Sequence, residues 1–299
     1  MGEREAAIHA VYHLRWYVRH YGSEIWVGSL TCLMGEFGLT EQAVRAAISR
    51  MLRQGWLESL KVGNRSYYSM SPRGKKRLDE AAARIYKQET DKWNGKWCIA
   101  SYNIPEKQRG MRDQLRKELA WLGFGMLTTS TWISPNDLAD RVKEIVESHG
   151  ITDHVEIFRA DHVAWSEPRQ LVQKCWNIED INAAYAEFID EYRPGYDSLL
   201  SKMEKGQSVP DGYCFVEKTK LVHQYRKFLF IDPDFPEELL PEVWLGKEAD
   251  QLFQNYYDLL HPGASRFLNK YMNLLPMGFG LEPIRLWWRI SFLYKRGSK

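Results

Sequence analysis

From Val44 onward the apolar residues Val44, Ala47, Ile48, Met51 and Leu52 recur at i, i+3, i+4, i+7 and i+8. That spacing predicts an amphipathic helix with one buried stripe, capped by Thr40 and closed by Gly55. Its other side carries Gln42, Arg45, Ser49 and Arg53, with Arg50 flanking them. Upstream, apolar residues near helical spacing (Ile8, Val11, Tyr12, Leu14, Val18) predict a helix from Arg4 to Tyr21, stopped at Gly22. Ile25-Trp26-Val27 reads as a short strand, and Ser29 as the cap of a brief helix that ends at Phe37-Gly38. Downstream, two β-like runs between Trp56 and Met70 turn at Gly63-Asn64. Two short helices separated by Gly38-Leu39-Thr40, the second basic on its exposed side, with a hairpin behind them, have the order of a winged helix-turn-helix. In that module the second helix enters the major groove, and the hairpin reaches phosphates or the minor groove. The candidate DNA contacts are therefore Gln42, Arg45, Ser49, Arg50 and Arg53 on the helix, and Lys61 and Arg65 on the hairpin.

Ser71-Pro72 starts a further helix, serine at the cap and proline at the first helical position, expected to reach about Lys87. From Trp93 the pattern changes to strands alternating with helices. Lys96–Ile104 reads as a strand, and Pro105 introduces a helix with Met111, Leu115, Leu119 and Leu122 on one face. Gly123-Phe124-Gly125 opens an extended stretch through Ile133, followed by a helix over Asn136–His149 and a strand over Val155–Arg159. The order suggests a βαββαβ, ferredoxin-like unit. Beyond Glu167 the pattern is mostly helical, with helices over Leu171–Asn177, Ile181–Tyr192 and Leu221–Leu229. The expected class is α+β, with a winged helix in residues 1–92, a ferredoxin-like domain in 93–165 and a helical domain for effector binding and dimerisation in 166–299.

Charge sharpens this division. The net charge of the 299 residues is only +2, but residues 1–92 hold fifteen Lys/Arg against ten Asp/Glu, and the remainder 26 against 29. Arg45–Arg77 contains nine basic residues and one acidic residue, Glu58, which suggests a localised polyanion-binding face. An apolar fraction of 44% and twelve tryptophans suffice for folded cores. The four cysteines are scattered without CxxC spacing, the start of the chain is charged, and no apolar run approaches the ~18 residues of a spanning helix. Reduced thiols and a cytoplasmic protein, away from the membrane, are expected.

Signals for catalysis are weak. His9 and His13 stand at i, i+4, a spacing that suits zinc, but they lack an intervening glutamate and an obvious third ligand, so surface histidines are the expectation. His149, Asp153, His154, Asp161 and His162 cluster in sequence, which turn and strand-edge polarity explains more simply. No nucleophile elbow or phosphate-binding loop is present, and Gly123-Phe124-Gly125 lacks the third glycine of a dinucleotide loop. No catalytic residue, metal or cofactor is expected.

Trp26-Val27-Gly28-Ser29-Leu30, Val44-Arg45-Ala46-Ala47-Ile48-Ser49-Arg50-Met51, Gly55-Trp56-Leu57 and Arg65-Ser66-Tyr67-Tyr68 together resemble the N-terminal domain of the PaaX-type transcriptional repressors, regulators of phenylacetate and related aromatic-acid catabolism. Leu122-Gly123-Phe124-Gly125 and Trp132-Ile133-Ser134-Pro135 resemble their middle domain. Leu221 to Phe228, Asp232-Pro233, Leu239-Leu240-Pro241 and Trp244-Leu245-Gly246 resemble their C-terminal domain, so the likeness spans roughly residues 10–270. It implies a homodimeric repressor of a catabolic operon that binds a palindromic operator and leaves it when an aryl-CoA thioester such as phenylacetyl-CoA binds. His223, Tyr225, Arg226 and Trp244, with Lys227 and Tyr213 nearby, offer an apolar slot and cations suited to such an effector. A helix burying Leu221, Tyr225 and Phe228 with its cations in water explains the same residues equally well. The middle domain also resembles the CRISPR-associated Cas2 fold, whose nuclease members carry an aspartate at the end of the first strand. Asn103 takes that place here, and an amide lacks the charge that holds Mg²⁺, which argues against the alternative of a metal-dependent nuclease. An architectural DNA-binding protein without a ligand is the other alternative, and roughly 200 residues beyond the DNA module exceed its needs.

Overall fold

The computed structural model describes residues 24–76, 79, 93–163 and 165–272. The expected helix from Arg4 to Tyr21, His9 and His13, and the end of the helix begun at Pro72 lie outside these residues.

The described elements begin with β1 (Glu24–Trp26), α1 (Val27–Gly35), α2 (Glu41–Arg53), β2 (Leu57–Val62) and β3 (Arg65–Met70). Next come β4 (Lys96–Tyr102), α3 (Arg109–Trp121), β5 (Gly125–Thr128), β6 (Thr131–Ser134), α4 (Ala139–Ser148) and β7 (Val155–Asp161). Four helices follow: α5 (Pro168–Cys175), α6 (Ile178–Glu204), α7 (Asp211–Tyr225) and α8 (Gly246–Met272). These elements fall into two compact units, one made of residues 1–80, 200–223 and 256–299, the other of 81–199 and 224–255.

In the first unit α2 forms as its pattern dictates. The Thr40 hydroxyl accepts the Ala43 N–H at 3.3 Å, and Val44, Ala47, Ile48 and Met51 are buried. At the other end Trp56 N–H donates to Met51 O and Gly55 N–H to Leu52 O, the paired bonds that turn a chain out of a helix. Three antiparallel strands in the order β1-β3-β2 make the sheet, with Trp26 opposite Tyr67 and Val62 opposite Arg65. The β2–β3 turn needs a positive φ at its first position, which Gly63 supplies at 58°. Ser29 departs from expectation. The helix starts two residues earlier, at Val27, so Ser29 sits inside it, buried, and its hydroxyl donates to Tyr271 O at 3.3 Å. A cap must precede the helix; this serine instead ties α1 to α8.

The C-terminal helices complete the unit. Phe215 of α7, with no exposed surface, meets Phe37 edge-on at 5.6 Å and stacks on Phe267 of α8 at 5.2 Å. Arg266 of α8 donates from Nε and Nη2 to the carboxylate of Asp211 at the start of α7. Lys218, 1% exposed, lies 3.8 Å over the ring of Tyr257 and 2.5 Å from Nδ1 of His261.

The second unit holds a four-stranded antiparallel sheet ordered β5-β6-β4-β7, with α3 and α4 on one face. Alternate residues of β4 (Cys98, Ala100, Tyr102) point into that core with Leu115, Leu119, Val142 and Val146. The extended stretch opened by Gly123-Phe124-Gly125 is two strands, β5 and β6, turning at Thr129-Ser130, where the Thr128 hydroxyl accepts the Ser130 N–H. Pro105 follows β4 and introduces a helix as expected, but that helix begins with a tight turn over Glu106–Gln108. The helix expected from Asn136 starts at Ala139, where the Asp137 carboxylate accepts the Ala139 N–H at 3.4 Å; the Asn136 Nδ2 ahead of it donates to Pro233 O at 2.7 Å. Helix α6 runs through Pro194 well beyond the Ile181–Tyr192 expected, and α7 tightens into a 3₁₀ turn over Arg226–Phe230. Among the described residues no helix is long and apolar enough to cross a membrane.

Candidate nucleic-acid interface

With Val44, Ala47, Ile48 and Met51 turned inward, helical geometry leaves Gln42, Arg45, Ser49, Arg50 and Arg53 outside, and all five are exposed. Arg45 is restrained by the preceding turn: its guanidinium lies 2.6 Å from the Glu41 carboxylate, with both side chains more than half exposed. Such a pair is worth little to stability in water and leaves the cation available to a stronger anion.

On the hairpin, Lys61 and Arg65 are also exposed. Arg65 is not free to wander, because its guanidinium sits 5.0 Å over the Trp26 ring of the neighbouring strand. The ring in turn lies where a Cβ on Gly28 would come within 2.4 Å, so only glycine at that position admits this placement. A matching pair occurs at the hairpin's base, where Arg73 lies 5.1 Å over Trp56. Sequence reasoning passed over Arg73. Its signal was the serine ahead of it: Ser71 N–H donates to Trp56 O at 3.1 Å, and the Ser71 hydroxyl donates to Gly55 O and accepts the Gly74 N–H. These bonds fold the start of the next helix over the end of α2. The cations of α2 and the two tryptophan-backed arginines are all exposed, and Glu41 and Glu58 are the acidic residues from Glu41 to Lys76.

The residues considered for an effector are distributed differently. His223 belongs to the first unit and is half-buried. Tyr225, Arg226 and Trp244 belong to the second. Tyr225 is a core residue: its hydroxyl donates to Asp250 Oδ1 at 2.9 Å, its ring stacks on Phe253 at 4.0 Å, and burial pushes its pKa well up. Trp244 packs edge-on against Tyr185, whose hydroxyl donates to Asp232 at 2.6 Å. Leu221, Tyr225 and Phe228 are all buried. Lys227 is exposed and Tyr213 is 43% exposed.

Asn103, just past the end of β4, is exposed, and its backbone N–H donates to His154 O. Among the described residues no three His, Cys, Asp or Glu side chains gather as a metal site requires.

Comparison with known proteins divides the chain in the same order. Residues 8–74 match a model described as PaaX-like protein, residues 90–172 the PaaX protein central Cas2-like domain, and residues 176–270 the PaaX-like protein C-terminal domain. The transcriptional repressor PaaX of Escherichia coli (strain K12) is 34% identical over 254 residues, covering 84% of this chain and 79% of the relative. Among solved structures, an uncharacterized protein from Mycobacterium tuberculosis is similar with a TM-score of 0.49 and 23% identity, over 83% of this chain and 91% of that one.

Proposed function

The chain belongs to the PaaX family of transcriptional repressors, and on that premise we propose that its N-terminal elements, β1 to β3 with α1 and α2, form a winged helix-turn-helix that binds operator DNA. The observation that carries this reading is the exposed basic side of α2 beside a hairpin whose arginines rest on tryptophans. In the major groove α2 brings Arg45, Ser49 and Arg50 toward base edges, while Gln42 and Arg53 serve the flanks. Arg65 and Lys61 hold the backbone from the hairpin, and Arg73 supports them. One such module offers limited contact, so two copies related by a dyad read a palindromic site with half-sites about one helical turn or a multiple apart. Residues 93–165 and 166–299 supply dimerisation and sensing, and an aryl-CoA thioester such as phenylacetyl-CoA is the signal that releases the operator of a catabolic operon. The protein acts in the cytoplasm and carries no enzymatic activity of its own; Asn103 in place of a metal-binding carboxylate supports this against a nuclease reading.

A gel-shift and salt series on the operator tests the DNA reading. Arg45→Ala and Arg50→Ala each weaken operator binding by ~1–3 kcal/mol and relax specificity at single positions. Arg65→Ala weakens specific and non-specific binding alike and lowers the slope of log K against log salt by about 1. Unchanged affinity in both helix variants would sink the docking of α2.

A further inference from the structure

The two faces of the four-stranded sheet are covered unequally. Cys98, Ala100 and Tyr102 fill the side under α3 and α4, so their neighbours Trp97 and Ile99 point to the opposite side. There, with Ile133 of β6 and Leu171 of α5, they wall an open cleft of about 490 Å³. That volume lies within the roughly 300–1,000 Å³ typical of small-molecule sites, and an apolar wall with a few polar groups is their usual composition. Two features give the cleft a chemical preference. Trp97 is 3% exposed, and its indole N–H has no acceptor among the described residues. At the rim the charges do not balance. The Asp161 carboxylate is occupied by the Lys96 ammonium at 2.9 Å, whereas Lys174 has no carboxylate partner among the described residues.

We propose that this cleft is the small-molecule site of the protein, taking an aromatic ring that carries a negatively charged group. The ring packs against Trp97, Ile99 and Leu171, and the anionic part of the ligand is held at Lys174. The assignment rests on the reading that the protein senses an effector and moves the sensing site away from Tyr225, which the core already uses. A free aryl carboxylate and its CoA thioester share this chemistry, and the ligand series separates them.

The experiment titrates the full chain with phenylacetate, phenylacetyl-CoA and CoA alone, following tryptophan fluorescence and heat of binding. Two variants address the cleft. Ala160 stands directly across from Trp97 in the sheet and lines the cleft, so Ala160→Phe fills it. Lys174→Glu reverses the rim charge, while Lys174→Arg keeps it. Saturable binding of one aryl probe is expected, with CoA alone inert. Affinity should fall about tenfold or more in Ala160→Phe and in Lys174→Glu, and stay within about threefold in Lys174→Arg. Absence of saturable binding by either aryl probe overturns the proposal, as does full affinity in Ala160→Phe or in the surface variant Lys174→Glu. DNA release is scored separately. Binding in the cleft without operator release refutes the effector reading and supports the site; operator release that persists in both cleft variants refutes the site and supports the effector reading.

Discussion

Helix α2 and α7 up to His223 lie in the same compact unit, yet their cations meet opposite fates. On α2, Arg45, Arg50 and Arg53 stand in water. In the middle of α7, Lys218 and Thr219 are 1% and 2% exposed. The cause is visible in the spacing. The apolar residues of α2 make one stripe, so one covering surface suffices and a whole side remains polar. On α7 the buried residues Cys214, Phe215, Leu221 and Val222 form no single stripe, and the helix is packed on several sides at once. Phe215 meets Phe37 and Phe267, Cys214 lies where a Cβ on Gly263 would touch its sulfur, and Lys218 faces Tyr257 and His261. A charge left in water keeps its charge at no cost and stays available to a polyanion. A charge enclosed this way belongs to the architecture of the unit, and its own ionisation is altered in return.

The largest expected effect tests α7 as architecture. Phe215→Ala removes a fully buried ring from between two aromatic partners, and such truncations cost about 3–5 kcal/mol. Urea unfolding should show that loss, whereas Arg50→Ala on the exposed side of α2 should change stability by no more than about 0.5 kcal/mol. A loss below 1 kcal/mol for Phe215→Ala would mean that α7 does not brace the unit that holds α2, and the contrast between the helices would fail.

The next effect concerns Lys218. Burial pulls its amine down to about 7, while the nearby Asp258 carboxylate pulls the other way; Tyr257 and His261 lie against it. In the unfolded chain the amine returns to an ordinary value of 10.5. Between those two values the unfolded state binds more protons than the folded state, so stability rises with pH across that window, by at most ~1.4 kcal/mol per pH unit. Below about pH 7 both states are protonated, and the folded state bears the whole cost of enclosing the cation. Lys218→Met should therefore be more stable than the parent at pH 6, with the advantage shrinking from neutrality to pH 10. A stability difference that is flat over this range would show that Lys218 stays charged in the folded protein.

How legible each helix was follows from the same contrast. Everything that makes α2 is local: Thr40 at the cap, apolar residues three and four apart, Gly55 beyond the end. The hairpin turn was equally local, since Gly63-Asn64 sits between two β-like runs. The partners of α7 were not legible, because no short-range pattern links residues as distant as Ser29 and Tyr271, or Phe37 and Phe215. Ser29 shows how a local rule misleads under those conditions: a serine near a helix start looks like a cap until a distant carbonyl claims its hydroxyl. The turn between β5 and β6 was hidden for another reason. Leu127-Thr128-Thr129-Ser130-Thr131 contains no Gly, Pro, Asn or Asp, and its β-branched threonines read as unbroken strand. The candidate DNA contacts were nominated from their place on the polar side of α2 and on the hairpin, which is why Arg73, placed by its stacking on Trp56, went unnoticed. The cleft beside Trp97 was hidden as well, since its walls come from all four strands of the sheet and from α5, stretches far apart in sequence.

The smallest expected effect separates a DNA-reading face from a merely solvated one. Glu41 occupies the first turn of α2, where its charge favours the helix N-terminus, and it pairs with Arg45 one turn on. Both interactions are exposed, so Glu41→Gln should lower stability by only about 0.3–1 kcal/mol in thermal unfolding at low salt, and by less as salt rises. On a face that only meets water, that small loss would be the whole consequence. On a face that meets phosphates, the carboxylate both repels the DNA and competes for Arg45, so its neutralisation should strengthen operator binding several-fold, on the order of 1 kcal/mol, while stability falls. The two quantities then move in opposite directions from one substitution. Operator affinity that stays level or drops together with stability would place Arg45 away from the DNA, and the exposed side of α2 would be no more than the polar half of an amphipathic helix.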